Sequence, residues 1–124
     1  MVNKVCLNNV NQSLNGLLPQ LLWENPNPTS EFVTQTISLD LSAYRFVEIY
    51  ANEVCTKVYV GGYGRMTTIS LTENDTSIGV LGINRSVQVT SNGITIDICR
   101  YCHVGAVTTI NNSFLIPLRI YGIK

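Results

Sequence analysis

The chain is short of charge. Only 13% of its 124 residues are Asp, Glu, Lys or Arg, about half the ~25% of an average soluble protein. Eight basic residues balance eight acidic ones, so the net charge is zero. Without an excess or cluster of Lys and Arg there is no basic footprint for nucleic acid, which is not expected as a partner. Helix formers are scarce too, with 3 Ala against 13 Val and 12 Ile. No apolar run approaches the ~20 residues of a spanning helix, so no membrane insertion is expected. Met1-Val2-Asn3-Lys4 leads into an Asn-rich stretch rather than a signal-peptide core, so we expect intracellular assembly with reduced thiols. What is abundant is uncharged polarity: 13 Asn, 12 Thr and 9 Ser. With 45% hydrophobic residues and no net charge the chain is expected to fold. Little repulsion between copies favours assembly.

Two parts are expected. Residues 1–21 read as an extended N-terminal linker or subunit-contact arm: Asn3, Asn8, Asn9, Asn11 and Asn15 are scattered through it, and Gly16 and Pro19 interrupt any helix. Trp23 to Ser30 carries Pro26 and Pro28, each after Asn, which excludes helix and a central strand. From residue 35 the period is two. Ile37, Leu39 and Leu41, then Val47 and Ile49, Val58 and Val60, Val87 and Val89, and Ile94, Ile96 and Ile98 alternate with polar neighbours. Strict alternation means strands with one buried and one wet face. Turns are expected at Gly61-Gly62, Glu73-Asn74-Asp75, Ser91-Asn92-Gly93 and Asn111-Asn112-Ser113. A last strand is expected from Phe114 to Ile123, with Pro117 marking an edge position or a bulge. The fold class is all-β: an antiparallel β-sandwich or jelly roll of about eight strands over residues 22–124, with an extended lead-in.

Catalytic and metal motifs are thin. Cys99-Arg100-Tyr101-Cys102-His103 matches the C-x-x-C-H haem pattern. It begins inside an alternating strand, however, and His103 is the only histidine, which leaves Met66 as second axial ligand. Zinc would need a fourth ligand from distant Cys6 or Cys55. No cofactor or metal is expected. Gly61-Gly62-Tyr63-Gly64-Arg65 lacks the Walker spacing and is followed by a strand, so it reads as a β-turn. The glycosylation patterns at Asn11, Asn74, Asn84 and Asn111 signify only an amide- and hydroxyl-rich surface without a secretory route. No acid, base and nucleophile converge, so no catalytic residues are assigned and an enzyme is not expected.

Aromatic residues on the wet side are more informative. Tyr50 and Tyr59 fall opposite the Val and Ile faces of their strands, and Tyr63 and Tyr101 fall near turns. Such residues suit stacking on a sugar, a subunit interface, or the covering of a second sheet. The candidate ligand-binding set is Tyr63, Arg65, Asp75, Tyr101 and His103.

Two segments carry a likeness. Leu22-Trp23-Glu24-Asn25-Pro26-Asn27-Pro28-Thr29-Ser30-Glu31-Phe32, followed by Leu39-Asp40-Leu41-Ser42-Ala43-Tyr44, resembles the start of C-terminal domains of bacteriophage tail proteins from phages of Gram-positive and gut bacteria. The ending Tyr121-Gly122-Ile123-Lys124 resembles their terminal strand, whereas residues 52–110 carry only generic β pattern. The resemblance implies a β-sandwich virion protein of a tail fibre, baseplate or receptor-binding structure, assembled in the bacterial cytoplasm. It implies a homotrimer that engages other phage tail proteins or a host cell-surface glycan. A monomeric carbohydrate-binding or sugar-active module is the alternative. The chain is shorter than such fibres, so it stands either as a small structural protein or as part of a longer one.

Overall fold

A computed structural model describes residues 18–52, 54–61, 66–75, 79–103 and 108–124, with backbone alone for 73–75, 79, 80 and 103. The described residues form an all-β sandwich of nine strands. In chain order these are β1 (Gln20–Glu24), β2 (Gln35–Ser38), β3 (Phe46–Ala51), β4 (Val54–Tyr59), β5 (Met66–Asp75), β6 (Gly79–Thr90), β7 (Gly93–His103), β8 (Thr109–Ile110) and β9 (Pro117–Ile123). One sheet has the order β1-β9-β3-β4; the other has β2-β7-β6-β5, with β8 beside the far end of β7. All pairings are antiparallel.

The period of two builds the core. Val47, Ile49, Val58 and Ile120 of the first sheet face Ile69, Ile83, Val87, Val89, Ile94 and Ile96 of the second, all buried. Burial of each such side chain contributes about 1.5–3 kcal/mol. Leu115 and Ile116 close the core from the loop before β9.

Four local readings change. The expected turn at Glu73-Asn74-Asp75 is the end of β5, whose ladder with β6 continues to Asp75 opposite Gly79. The last strand begins at Pro117 rather than Phe114, and it lies between β1 and β3 rather than at an edge. Pro117 is tolerated because it is the first residue of the strand, next to a bulge: Tyr50 pairs with Arg119 but Ala51 with Pro117. The β6–β7 hairpin turns at Ser91-Asn92, yet Gly93 is not at positive φ. Glycine is required there because a Cβ would lie 2.5 Å from the Ile37 carbonyl oxygen of β2. Finally, the Ile94-Ile96-Ile98 alternation breaks. Val87 pairs with Ile96 but Arg85 with Cys99, so Asp97 and Ile98 form a bulge. The bulge shifts the phase, so Cys99 is buried and Ile98 only half-buried.

The two termini of the described chain form one unit. β1 pairs with β9, and the expected lead-in residues Gln20 and Leu21 belong to that ladder. Asp40 accepts hydrogen bonds from the Ser42 backbone N–H (3.1 Å) and hydroxyl (2.6 Å), making the turn after β2. The turn delivers the Tyr44 ring to Gly122, where any Cβ would stand 2.5 Å from the ring, and the Tyr44 hydroxyl donates to Gln20 Oε1 at 2.9 Å.

Candidate functional site

The two outer faces of the sandwich differ in chemistry. On the four-stranded sheet, strand register sets three rows across the wet face. The first is Tyr59, Phe46 and Ile123; the second Lys57, Glu48, Tyr121 and Leu21; the third Cys55, Tyr50, Arg119 and Glu24. The rings contact one another edge to face: Phe46 on Tyr59 with centroids 5.6 Å apart, and Tyr50 on Tyr121 at 5.4 Å. Lys57 Nζ lies 4.6 Å from the Phe46 centroid. Tyr59 is 59% exposed and Leu21 51%. The Tyr50 hydroxyl donates to Glu48 at 3.1 Å. Its pKa is pushed up to about 12, first by hydrogen bonding to the Cys55 sulfur opposite it in register and then by Glu48, since both favour the protonated phenol as donor. The Arg119 guanidinium is held above its ordinary value chiefly by Tyr121, with Glu24 adding to it.

On the outer face of the five-stranded sheet hydroxyls and amides predominate instead, with Met66, Ile110 and the Asp97–Arg100 pair among them. Thr36 and Thr95 share a hydrogen bond of 2.8 Å, and Thr68 and Ser70 one of 3.3 Å. Asp97 accepts from the Thr34 hydroxyl at 2.8 Å and pairs with Arg100 at 3.1 Å. Its carboxyl is held below the ordinary range, by the Thr34 bond first, then the Ile98 backbone N–H and Arg100.

A cleft of about 260 Å3 opens where β1 leaves the first sheet, lined by Trp23, Asn25, Pro26, Asn27, Ser30, Glu31, Phe32 and Gln35. Its loop is held rigidly although it lacks regular structure. Asn25 is buried: its backbone N–H donates to Leu118 O (2.9 Å), its side-chain amide to Pro117 O (2.8 Å), and its Oδ1 accepts from Asn27 N–H (2.8 Å). Phe32 N–H donates to Asn112 O at 3.0 Å. The Trp23 and Phe32 rings meet edge to face at 6.3 Å.

The expected ligand set is distributed differently. Tyr63 and Arg65 lie outside the described residues, as do the side chains of Asp75 and His103. Backbone register carries Asp75, opposite Gly79, to the same end of the sheet as His103, opposite Leu81. Met66 starts β5 at the other end, nine residue steps and about 30 Å away. Tyr101 pairs with Ile83, is half-buried against the core, and meets the Phe114 ring at 5.7 Å. Cys99 is buried in the core, while Cys102 lies three residues on along β7 and so on its opposite face. Burial pushes the Cys99 thiol above its ordinary pKa. Among the described residues no three His, Cys, Asp or Glu side chains gather as metal ligands.

One polar residue was not foreseen at all. Arg85 occupies an inward position of β6, between Ile83 and Val87, and is fully buried. Its guanidinium uses all five N–H donors on backbone carbonyls. Nε donates to Phe114 O (3.1 Å), Nη1 to Phe32 O (2.8 Å) and Asp97 O (3.0 Å), and Nη2 to Asn112 O (2.9 Å) and Phe114 O (2.8 Å). It also lies 5.5 Å from the Phe32 centroid. Burial lowers its pKa, partly offset by Cys99 and Asp97. Arg85 thus ties the Trp23 cleft loop, the β7 bulge and the loop before β9 to one point. A charged residue in phase with Ile83, Val87 and Val89 was the available signal.

The described residues therefore define an all-β sandwich with one outer face rich in aromatic and charged residues, a second dominated by hydroxyls and amides that also carries the Asp97–Arg100 pair and the exposed Met66, and a preformed cleft at the sheet edge. Comparison of the chain with protein-family models, curated proteins and solved structures found no match.

Proposed function

We propose that this chain is a non-enzymatic phage virion protein of a tail fibre, baseplate or receptor-binding structure, which self-assembles and engages host-surface carbohydrate or another tail component. The observation that carries the reading is the asymmetry of the two outer faces. Tyr and Phe are enriched at interfaces between proteins, and here they concentrate on one face, while the other holds mostly hydroxyls and amides with the Asp97–Arg100 pair among them. Edge-to-face contacts keep these rings ordered, so little side-chain freedom is lost on association. Zero net charge removes long-range repulsion between copies. The reading also takes in the two segments that resemble phage tail domains. Those segments are far apart in sequence and meet through the β1–β9 ladder and the Tyr44–Gly122 contact.

Light scattering at micromolar concentration tests the reading. A multimer is expected, a trimer by the resemblance, and Tyr59→Ser with Tyr121→Ser is expected to lower its mass. A clean monomer in the unsubstituted protein would overturn self-assembly and favour the alternative, a monomeric carbohydrate-binding module, for which the cleft beside Trp23 is the supporting feature. Release of reducing ends from host polysaccharide would overturn the non-enzymatic part.

A further inference from the structure

The cleft beside Trp23 has a chemistry of its own. The half-buried Trp23, which packs on the core and meets the buried Phe32 edge to face, adjoins polar groups from Asn27, Ser30, Glu31 and Gln35. The amides and the hydroxyl both donate and accept, and Glu31 only accepts. Gln35 spends one N–H on Val33 O at 3.2 Å and keeps its remaining donor and acceptor. Among the described residues neither Lys nor Arg lines the cleft, so none of them compensates Glu31 there. A ligand that suits this set has one apolar face, several hydroxyls and no negative charge. A volume of about 260 Å3 falls just below the ~300–1,000 Å3 of clefts that enclose drug-sized molecules, so one ring fits rather than an oligosaccharide. Asn25, anchored through both backbone and side chain, together with Pro26 and Pro28, preforms the loop and reduces the ordering cost of binding.

We propose that this cleft is a subsite for a single neutral pyranose ring, stacked on Trp23 and hydrogen-bonded by Asn27, Glu31 and Gln35. The proposal rests on the carbohydrate-engaging part of the function proposed above and gives it a location on residues other than the expected ligand set. Trp23 is the chain's only tryptophan, so its fluorescence reports on this cleft alone. The experiment titrates the full chain with methyl glycosides of neutral hexoses and N-acetylhexosamines, and with a methyl glucuronide as the anionic counterpart. A saturable change in Trp emission is expected, with Kd of about 1–10 mM for a one-ring ligand. At least one neutral glycoside should bind about fivefold tighter than the glucuronide, and Glu31→Gln should narrow that difference. Gln35→Ala should weaken binding while leaving the urea midpoint in place, because Gln35 is exposed. No saturable change with any neutral glycoside at tens of millimolar would overturn the subsite, as would glucuronide binding as tight as neutral binding. Light scattering on the same samples separates the two readings. An assembled protein that binds no sugar loses only the subsite, and a monomer that binds sugar through Trp23 loses only the self-assembly.

Discussion

Arg85 is the residue on which the loops depend. A buried guanidinium without a salt-bridge partner is costly unless its donors are all used, and here five N–H groups meet four carbonyls from three separate segments. Its removal would take these donors from the Phe32, Asp97 and Phe114 carbonyls and leave Asn112 O with the Phe32 N–H alone. Arg85→Ala is therefore expected to cost about 4 kcal/mol or more in urea denaturation. Arg85→Lys, which keeps the charge but offers only three donors and no planar fork, should recover only part of that loss. Leu115, beside the doubly accepting Phe114 carbonyl, holds φ at +48°, a left-handed conformation costing about 1–2 kcal/mol for a non-glycine residue. Asp97 lends itself to a pH test. Its folded-state pKa is depressed, so its contribution is present above the unfolded value of about 3.9 and is lost as pH falls through the folded one. Stability measured from pH 6 to 2 should fall less steeply in Asp97→Asn than in the unsubstituted protein, and equal slopes would show that another carboxyl dominates. The glycosylation pattern Asn84-Arg85-Ser86 reads as a polar surface tripeptide and gives no hint of the Arg85 contacts. The alternation of β6 does place Arg85 inward, but periodicity cannot show which carbonyls converge on it.

Strand elements followed closely from alternation, and they departed from it where a neighbouring backbone intervened. Val47, Ile49, Val58, Val87, Val89, Ile94 and Ile96 all point inward as their spacing implies. The β7 bulge at Asp97-Ile98 inverts the phase beyond it, because β6 has one residue there where β7 has two. That inversion buries Cys99, and the three-residue spacing puts Cys102 on the other face, so the C-x-x-C-H pattern does not converge. Gly93 makes the same point for a turn. The Ser-Asn-Gly pattern correctly marked a hairpin, but glycine is needed there for the approach of β2 rather than for a positive φ. Gly93→Ala is expected to lower stability by about 2 kcal/mol or more, since a Cβ 2.5 Å from a backbone oxygen forces β2 away. Gly82→Ala, whose Cβ would meet only the Cys102 carbonyl oxygen at 3.9 Å, should stay within about 1 kcal/mol of the unsubstituted protein. Thermal melts of the two variants under identical conditions check the contrast.

For the whole molecule, the scarcity of charge acquires a location. Apart from the Asp97–Arg100 pair, the outer face of the five-stranded sheet is dominated by uncharged polar groups, whereas several of the charges stand beside aromatic rings on the four-stranded one. If that face is the interface, Tyr59→Ser should shift the assembly equilibrium while costing the subunit about 1 kcal/mol or less, since the ring is 59% exposed and its main contact is the Phe46 edge. Analytical ultracentrifugation alongside urea denaturation separates the two effects, and an unchanged mass with lowered stability would assign the ring to folding alone. By itself the sequence determined the fold class, the wet placement of Tyr50 and Tyr59, and the absence of a basic footprint, because these depend on composition and on a period of two that acts along each strand. Tertiary structure decided the pairing of β1 with β9, the burial of Arg85, the phase change that hides Cys99, and the cleft beside Trp23. Each of these joins residues distant in the chain, where ladder register and close backbone approach, rather than local preference, set which groups meet.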